Sequence, residues 1–239
     1  DPAFGYELVL IVREGIRRMY DQQEDVFYYL TLYNENYSHP NLLDLGGEVD
    51  QIDDQIVQNI LRGGYCFERT EVEVTRPTVH LLASGSIMQQ AVSAREALAG
   101  MNLNVCLWSI TSFVELEREA LDCDRYNRLN PTEEQKIPFV TDLFSSESGV
   151  FVAVTDYMKS LASGLSRWLP GSLEVLGTDG YGLSETKAQL REHFEINSDY
   201  IAQAAISVLF RERLIDLKDY KRCAKKLNIK PDKENPRLH

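Results

Sequence analysis

From Tyr65 onward the chain alternates short runs of apolar β-formers with longer stretches whose apolar residues recur every three or four positions, and this alternation restricts the possible folds more than any other feature. Tyr65–Thr70 and Thr78–Ala83 read as strands, the second closed by Ser84-Gly85-Ser86 ahead of a helix, Ile87–Ala99, in which Ile87, Ala91, Ala94 and Leu98 keep helical spacing. Asn104–Ile110 reads as a third strand. After it, Ser112 with Glu115 has the form of a capping box for a helix running through Leu121. Ile137–Phe144 and Tyr157–Leu169 read as helical, Val150–Val154 and Leu173–Leu176 as the fourth and fifth strands, and Tyr200–Arg213 and Ile215–Leu227 as closing helices, the first capped by Asn197 or Ser198. Such an order predicts an α/β fold, a mostly parallel sheet covered by helices on both faces with right-handed crossovers.

Leu173–Phe194 is a strand, a glycine-rich turn and a helix in succession. Gly177, Gly180 and Gly182 permit backbone angles that other residues avoid, and Ser184 is placed to cap a helix starting at about Glu185. The spacing is G-x-x-G-x-G. That is not the dinucleotide fingerprint, and no acidic residue in a following strand completes one, so turn chemistry and phosphate binding stand as the bland and the sharp readings.

The front of the chain is different. Phe4–Tyr20 carries Leu8, Val9, Ile11, Val12, Ile16 and Met19 on one side of a helical period, and Val26–Leu32 is apolar at almost every position, which suits a strand buried on both faces. A strand of this kind needs parallel neighbours that the preceding sequence does not supply. Residues 1–56 are therefore expected to be the tail of one domain, and residues 57–239 a second. The loop Asn34–Asp50 and the helix Gln51–Arg62, stopped by Gly63-Gly64, make the connection.

Composition sets limits. A net charge of −12 argues against a nucleic-acid partner, which calls for a basic face. Residues 1–60 hold 12 Asp/Glu against 3 Arg and no Lys, so the acidic excess lies at the front, either as a solvated surface or as a docking face for a basic partner. Cys66, Cys106, Cys123 and Cys223 have neither metal nor disulfide spacing. No apolar run approaches the roughly 20 residues of a membrane span and no signal peptide is recognisable, so a reducing, cytoplasmic setting is expected and Asn36-Tyr37-Ser38 is read as a chance sequon. The start at Asp1, without methionine, suggests a fragment.

Several runs together carry a family resemblance: Leu176-Gly177-Thr178-Asp179-Gly180-Tyr181-Gly182, Ser184-Glu185-Thr186, Leu190-Arg191-Glu192-His193-Phe194, Tyr28–Tyr37, Leu82–Ile87, Ser109–Phe113, Ala153–Lys159 and Asn235–Leu238. In this order they resemble the C-terminal part of the large, homodimeric bacterial pyruvate dehydrogenase first component, with a transketolase-like C-terminal domain. The resemblance implies a five-stranded mixed sheet sandwiched by helices, preceded by a helix-strand remnant of the middle, thiamine-binding-type domain. It implies a parent enzyme that decarboxylates pyruvate on thiamine diphosphate with Mg2+ and passes the acetyl unit to the lipoyl group of the dihydrolipoyl acetyltransferase core. In that family the cofactor and metal ligands precede the part matched here, so no residue of this chain is expected to bind either, and the isolated chain is expected to be inactive. Transketolase, 2-oxoglutarate decarboxylase and a non-catalytic dimerisation and docking module are the alternatives.

Candidate site residues are few. By resemblance, Asn34–His39 is a loop whose glutamate and histidine approach the substrate end of the site, so Glu35 and His39 are the catalytic candidates. On the residues alone His39 is equally a loop histidine, since no nucleophile or second histidine lies nearby. Ser84-Gly85-Ser86 could present N–H groups to an anion or serve turn geometry alone. His80, inside a strand, is expected to be a hydrogen-bonded core residue. His193, with Arg191 and Glu192, is expected either to bridge subunits or to complement a helix dipole. Asp156 and Lys159 are expected to form an exposed pair.

Overall fold

The computed structural model describes residues 1–40 and 52–238. The second part of the expected loop, with Gly46-Gly47, and the first expected helical residue, Gln51, lie outside the described residues. Five strands, β1 (Tyr65–Arg69), β2 (Thr78–Ala83), β3 (Asn104–Ser109), β4 (Val150–Val154) and β5 (Leu173–Leu176), form one sheet in the order β1-β3-β2-β4-β5. β3, β2, β4 and β5 run parallel, and β1 pairs antiparallel with β3 at one edge. The β1–β3 register shifts between Cys66 and Glu68, a bulge in the edge strand.

Alternation along the strands divides two cores. Val79, Leu81 and Ala83 of β2 and Val150, Val152 and Val154 of β4 face one side, where α3 (Met88–Ala99) and α8 (Ser198–Arg211) pack. Leu82, Phe151 and Ala153 face the other, against α4 (Phe113–Leu129), α5 (Phe139–Leu143) and α6 (Ser160–Ser163). β2, β3 and β4 are covered on both faces, which is why their sequences are continuous rather than alternating apolar runs.

The five strands expected from Tyr65 onward are all present, within one residue at each end. Ser112 caps α4 as expected, accepting from the Glu115 N–H at 3.0 Å. α4 runs to Leu129 rather than Leu121, because Leu116, Ala120 and Cys123 continue one buried stripe under an otherwise polar surface. The stretch Tyr157–Leu169 is helical only from Ser160, since Thr155 Oγ1 and Asp179 Oδ1 take the N–H groups of Tyr157 and Lys159 at 3.1 and 3.0 Å. Thr186, not Ser184, caps α7 (Lys187–His193), its Oγ1 accepting from the Gln189 N–H. α9 (Leu217–Ala224) closes the regular structure, capped by Asp216. Among the described residues no helix is long and apolar enough to cross a membrane.

At the front, α1 (Gly5–Ile16) continues as a single π-helical turn, Arg17–Asp21, and α2 (Asp54–Arg62) ends at Gly63 in the left-handed conformation (φ 116°). Ala3, Phe4, Tyr6 and Leu10 join the same apolar cluster as β2 and α3. Glu7 is fully buried there: its carboxylate accepts from Ser109 Oγ and Tyr65 OH at 2.7 Å and from the Ala3 and Phe4 N–H groups at 2.6 and 3.0 Å. Burial raises its pKa, against those four hydrogen bonds. The expected strand Val26–Leu32 does not form. Among the described residues that segment has no strand partner, and Phe27, Tyr29 and Leu32 are 88%, 84% and 64% exposed, because apolar β-formers make a strand only where a neighbour accepts their backbone hydrogen bonds.

Candidate functional site

The chain leaves β2 toward β3 on one side and reaches β4 and then β5 on the other, so the connections diverge between β2 and β4. Crevices beyond the carboxyl ends of strands at such a divergence are the usual ligand sites of open α/β sheets. Ser84-Gly85-Ser86 follows β2, Thr155-Asp156 follows β4, and the two turns are joined by the Ser86 hydroxyl, which donates to Asp156 Oδ2 at 3.1 Å. Above this junction lies a cavity of about 380 Å³ lined by Tyr33, Glu35, Ser86, Asp156, Thr178, Lys187 and Arg191, among others.

Arg191, on α7, forks onto Glu35 with Nη1 at 3.2 Å and Nη2 at 2.9 Å, and Nη2 also donates to Ser86 Oγ at 3.1 Å. Lys187, one turn earlier, lies 3.4 Å from the same carboxylate and donates to the Asn34 carbonyl at 3.1 Å. Burial alone would raise the Glu35 pKa, but the hydrogen bonds from Arg191 and the charges of Arg191 and Lys187 hold it below the usual glutamate range. Asp156 goes the other way, pushed up by burial. Thr178 Oγ1 donates to the Asp156 carbonyl at 2.8 Å, so the glycine-rich turn after β5 braces the β4 turn.

His39 lies apart from this network. Its Nδ1 accepts from the Gly5 N–H at 2.9 Å, so the neutral ring carries its proton on Nε2, and it stacks on Tyr37 with centroids 5.0 Å apart. Glu35 and His39 each have their own partners.

The remaining candidates resolve differently. The Ser84-Gly85-Ser86 turn is covered by Tyr33, and the Gly85 N–H already donates to the Asp1 carbonyl at 3.1 Å, so it is not free for an anion. Asp156 is not exposed and does not pair with Lys159, whose backbone N–H goes to Asp179. Arg191 bonds within the chain, Glu192 pairs with Lys230 at 2.6 Å, and His193 turns a buried Nε2 inward. His80 is the expected core residue. Nε2 meets the Ser148 carbonyl at 3.1 Å, Nδ1 accepts from Trp108 Nε1–H at 3.2 Å, and the ring stacks on Phe151.

The fold also brings Cys106 and Glu147 beside His80, their ligand atoms within 4.8 Å of one another, a grouping invisible in the sequence spacing. It does not fit Mg2+, which takes oxygen ligands: thiol and imidazole are the wrong donors, and the only carboxylate is already paired with Arg69, 2.5 Å from its Nη2. A larger cavity, about 870 Å³, opens at the amino ends of the strands around Thr78, Asn104 and Gly149. It gathers no comparable set of charged groups, and the chemistry favours the smaller one.

Residues 63–197 match the model of the transketolase-like TK C-terminal domain, and residues 1–40 that of the pyruvate dehydrogenase E1 component middle domain. The pyruvate dehydrogenase E1 component of Cupriavidus necator is 38% identical over 99% of this chain and 25% of its own length. That of Escherichia coli K12 is 39% identical over 100% and 26%. Among solved structures, a transketolase from Leishmania mexicana aligns at 21% identity and a TM-score of 0.42, covering 65% of this chain and 19% of that one. The chain thus spans about a quarter of the length of these curated relatives.

Proposed function

The chain belongs to the transketolase-like TK C-terminal domain family and is homologous to a segment of pyruvate dehydrogenase E1 components, and from that premise we propose that it is the C-terminal segment of such an enzyme. In this reading residues 1–56 are the end of the middle domain and residues 57–239 the C-terminal domain. The observation that carries it is the end-to-end likeness to relatives of that one name. The parent protein, in the cytoplasm, decarboxylates pyruvate and acetylates the lipoyl group of a dihydrolipoyl acetyltransferase core. Thiamine diphosphate with Mg2+ supplies the electron sink for that chemistry when bound, and its ligands lie in the parent outside this segment.

What this segment supplies is the scaffold of a homodimer and one loop toward the substrate. Glu35 reaches that loop as a carboxylate held ionised by Arg191, and His39 offers a proton on Nε2. The direct test expresses the full-length protein and measures pyruvate-dependent reduction of an artificial acceptor with thiamine diphosphate and Mg2+ present. Activity there and none in the isolated chain is expected, and His39→Ala in the full-length protein lowers turnover. Stoichiometric thiamine diphosphate binding to the isolated chain by calorimetry would overturn the division of labour.

The exposed Val12, Ile16, Phe27 and Tyr29 favour a second reading, a non-catalytic dimerisation and docking module. It predicts a dimer of the isolated chain by light scattering and unaltered turnover of the parent on His39→Ala.

A further inference from the structure

We propose that Arg191 is a positioning residue for Glu35, fixing a loop carboxylate against the sheet of the neighbouring domain; the proposal rests on the reading of Glu35 as a substrate-facing group. Glu35 sits in a stretch that forms no helix or strand, so nothing in its own backbone pairing fixes its side chain. Arg191 supplies what is missing. Its fork makes two roughly parallel bonds to the carboxylate, a geometry that sets orientation as well as distance.

The guanidinium is itself fixed. Only 11% of its side chain is exposed, and Nη2 is shared with Ser86 Oγ, whose own proton goes to Asp156. Ser86 and Asp156 follow adjacent strands of the sheet, so the chain of contacts Glu35–Arg191–Ser86–Asp156 ends on the paired strands β2 and β4. Lys187 adds a second hold one residue earlier, on the Asn34 carbonyl. Two cations, Arg191 and Lys187, thus face two carboxylates, Glu35 and Asp156, with the Tyr33 and Tyr37 phenols beside them. Removing the guanidinium leaves the two carboxylates with Lys187 alone, and Glu35 then takes up a proton at higher pH.

The test uses the full-length protein with Arg191→Met, Arg191→Lys, Glu35→Gln and the Glu35→Gln/Arg191→Met double variant. Two readouts are taken: the pH profile of kcat/KM for pyruvate, and hydrogen exchange across residues 33–37 by mass spectrometry. In Arg191→Met, exchange across 33–37 quickens, kcat falls by roughly 10- to 100-fold as expected for a misplaced group, and the acid limb of the profile moves to higher pH. Arg191→Lys, which keeps the charge and loses the fork, returns the limb toward its original position while recovering only part of kcat. The double variant is no slower than the worse single one.

Unchanged exchange in Arg191→Met overturns the proposal whatever turnover does. Faster exchange with an unchanged limb and kcat overturns its catalytic half. Full turnover in Glu35→Gln instead defeats the substrate-facing reading of Glu35, and exchange alone then decides whether Arg191 holds the loop.

Discussion

Val150–Val154 and Val26–Leu32 are both unbroken runs of apolar β-formers, and they end in opposite circumstances. β4 is paired on both sides, with β2 and β5, and every residue of it is buried. The earlier run has no strand beside it among the described residues, and its aromatic residues Phe27 and Tyr29 stand largely in water. Residue choice confers the capacity to be a strand; a neighbour that takes the hydrogen bonds converts the capacity into one. α1 shows the same division within one element, its Leu10 side buried against the sheet domain while Val9, Val12 and Ile16 are exposed.

The sharpest way to break this contrast is Phe151→Ala. Phe151 is fully buried between His80 and Phe144, so truncation costs about 3–5 kcal/mol. Phe27→Ala changes the stability of the isolated chain by no more than about 0.5 kcal/mol. Urea denaturation of the two variants measures both, and equal losses would end the comparison.

A smaller effect probes the junction between the two regions. Glu7→Gln keeps one acceptor oxygen and sets its amide protons against two of the four donors, and costs about 1–3 kcal/mol. Its pH dependence has a definite sign. Burial raises the folded-state pKa of Glu7 above the unfolded value, so the contribution is full below the ordinary value of 4.5 and is lost as pH rises through the folded value. Wild-type stability therefore declines over that interval, and the decline is weaker in Glu7→Gln; parallel curves would show that Glu7 does not titrate there.

The substitution with the smallest effect on the isolated chain is the most discriminating. Tyr29→Ser is nearly silent in the isolated chain, within about 0.5 kcal/mol, and costs about 1.5–3 kcal/mol in the full-length protein of the proposed reading, in which middle-domain neighbours bury the ring. A silent substitution in both contexts removes the case for a middle-domain strand here.

The sheet was legible because β2, β3 and β4 are continuous apolar runs closed by small or polar residues, signals that local chemistry alone sets. Helix ends were less so. Ser184 and Thr186 are both capable caps, and the sequence has no means of choosing Thr186. The site was legible only in part. Glu35 is a candidate in the sequence, but its partner Arg191 lies 156 residues away, and the sequence leaves Arg191, beside His193, between a subunit bridge and a helix-dipole role because helix position says nothing about what a long side chain reaches. The sequence reads Asp156 as exposed for the same reason: Tyr33 and α7, which line one cavity with it, are both remote in sequence.

The kink between Cys66 and Glu68 has a consequence for the molecule among its own copies. A straight outer rail of free amides and carbonyls invites another chain to zip onto it and begin a fibril. Here that rail is offset by one residue and carries Glu68 and Arg69, while the opposite rail, β5, offers only four residues. Neither margin makes a good template, so lateral polymerisation through the sheet is disfavoured even at high concentration.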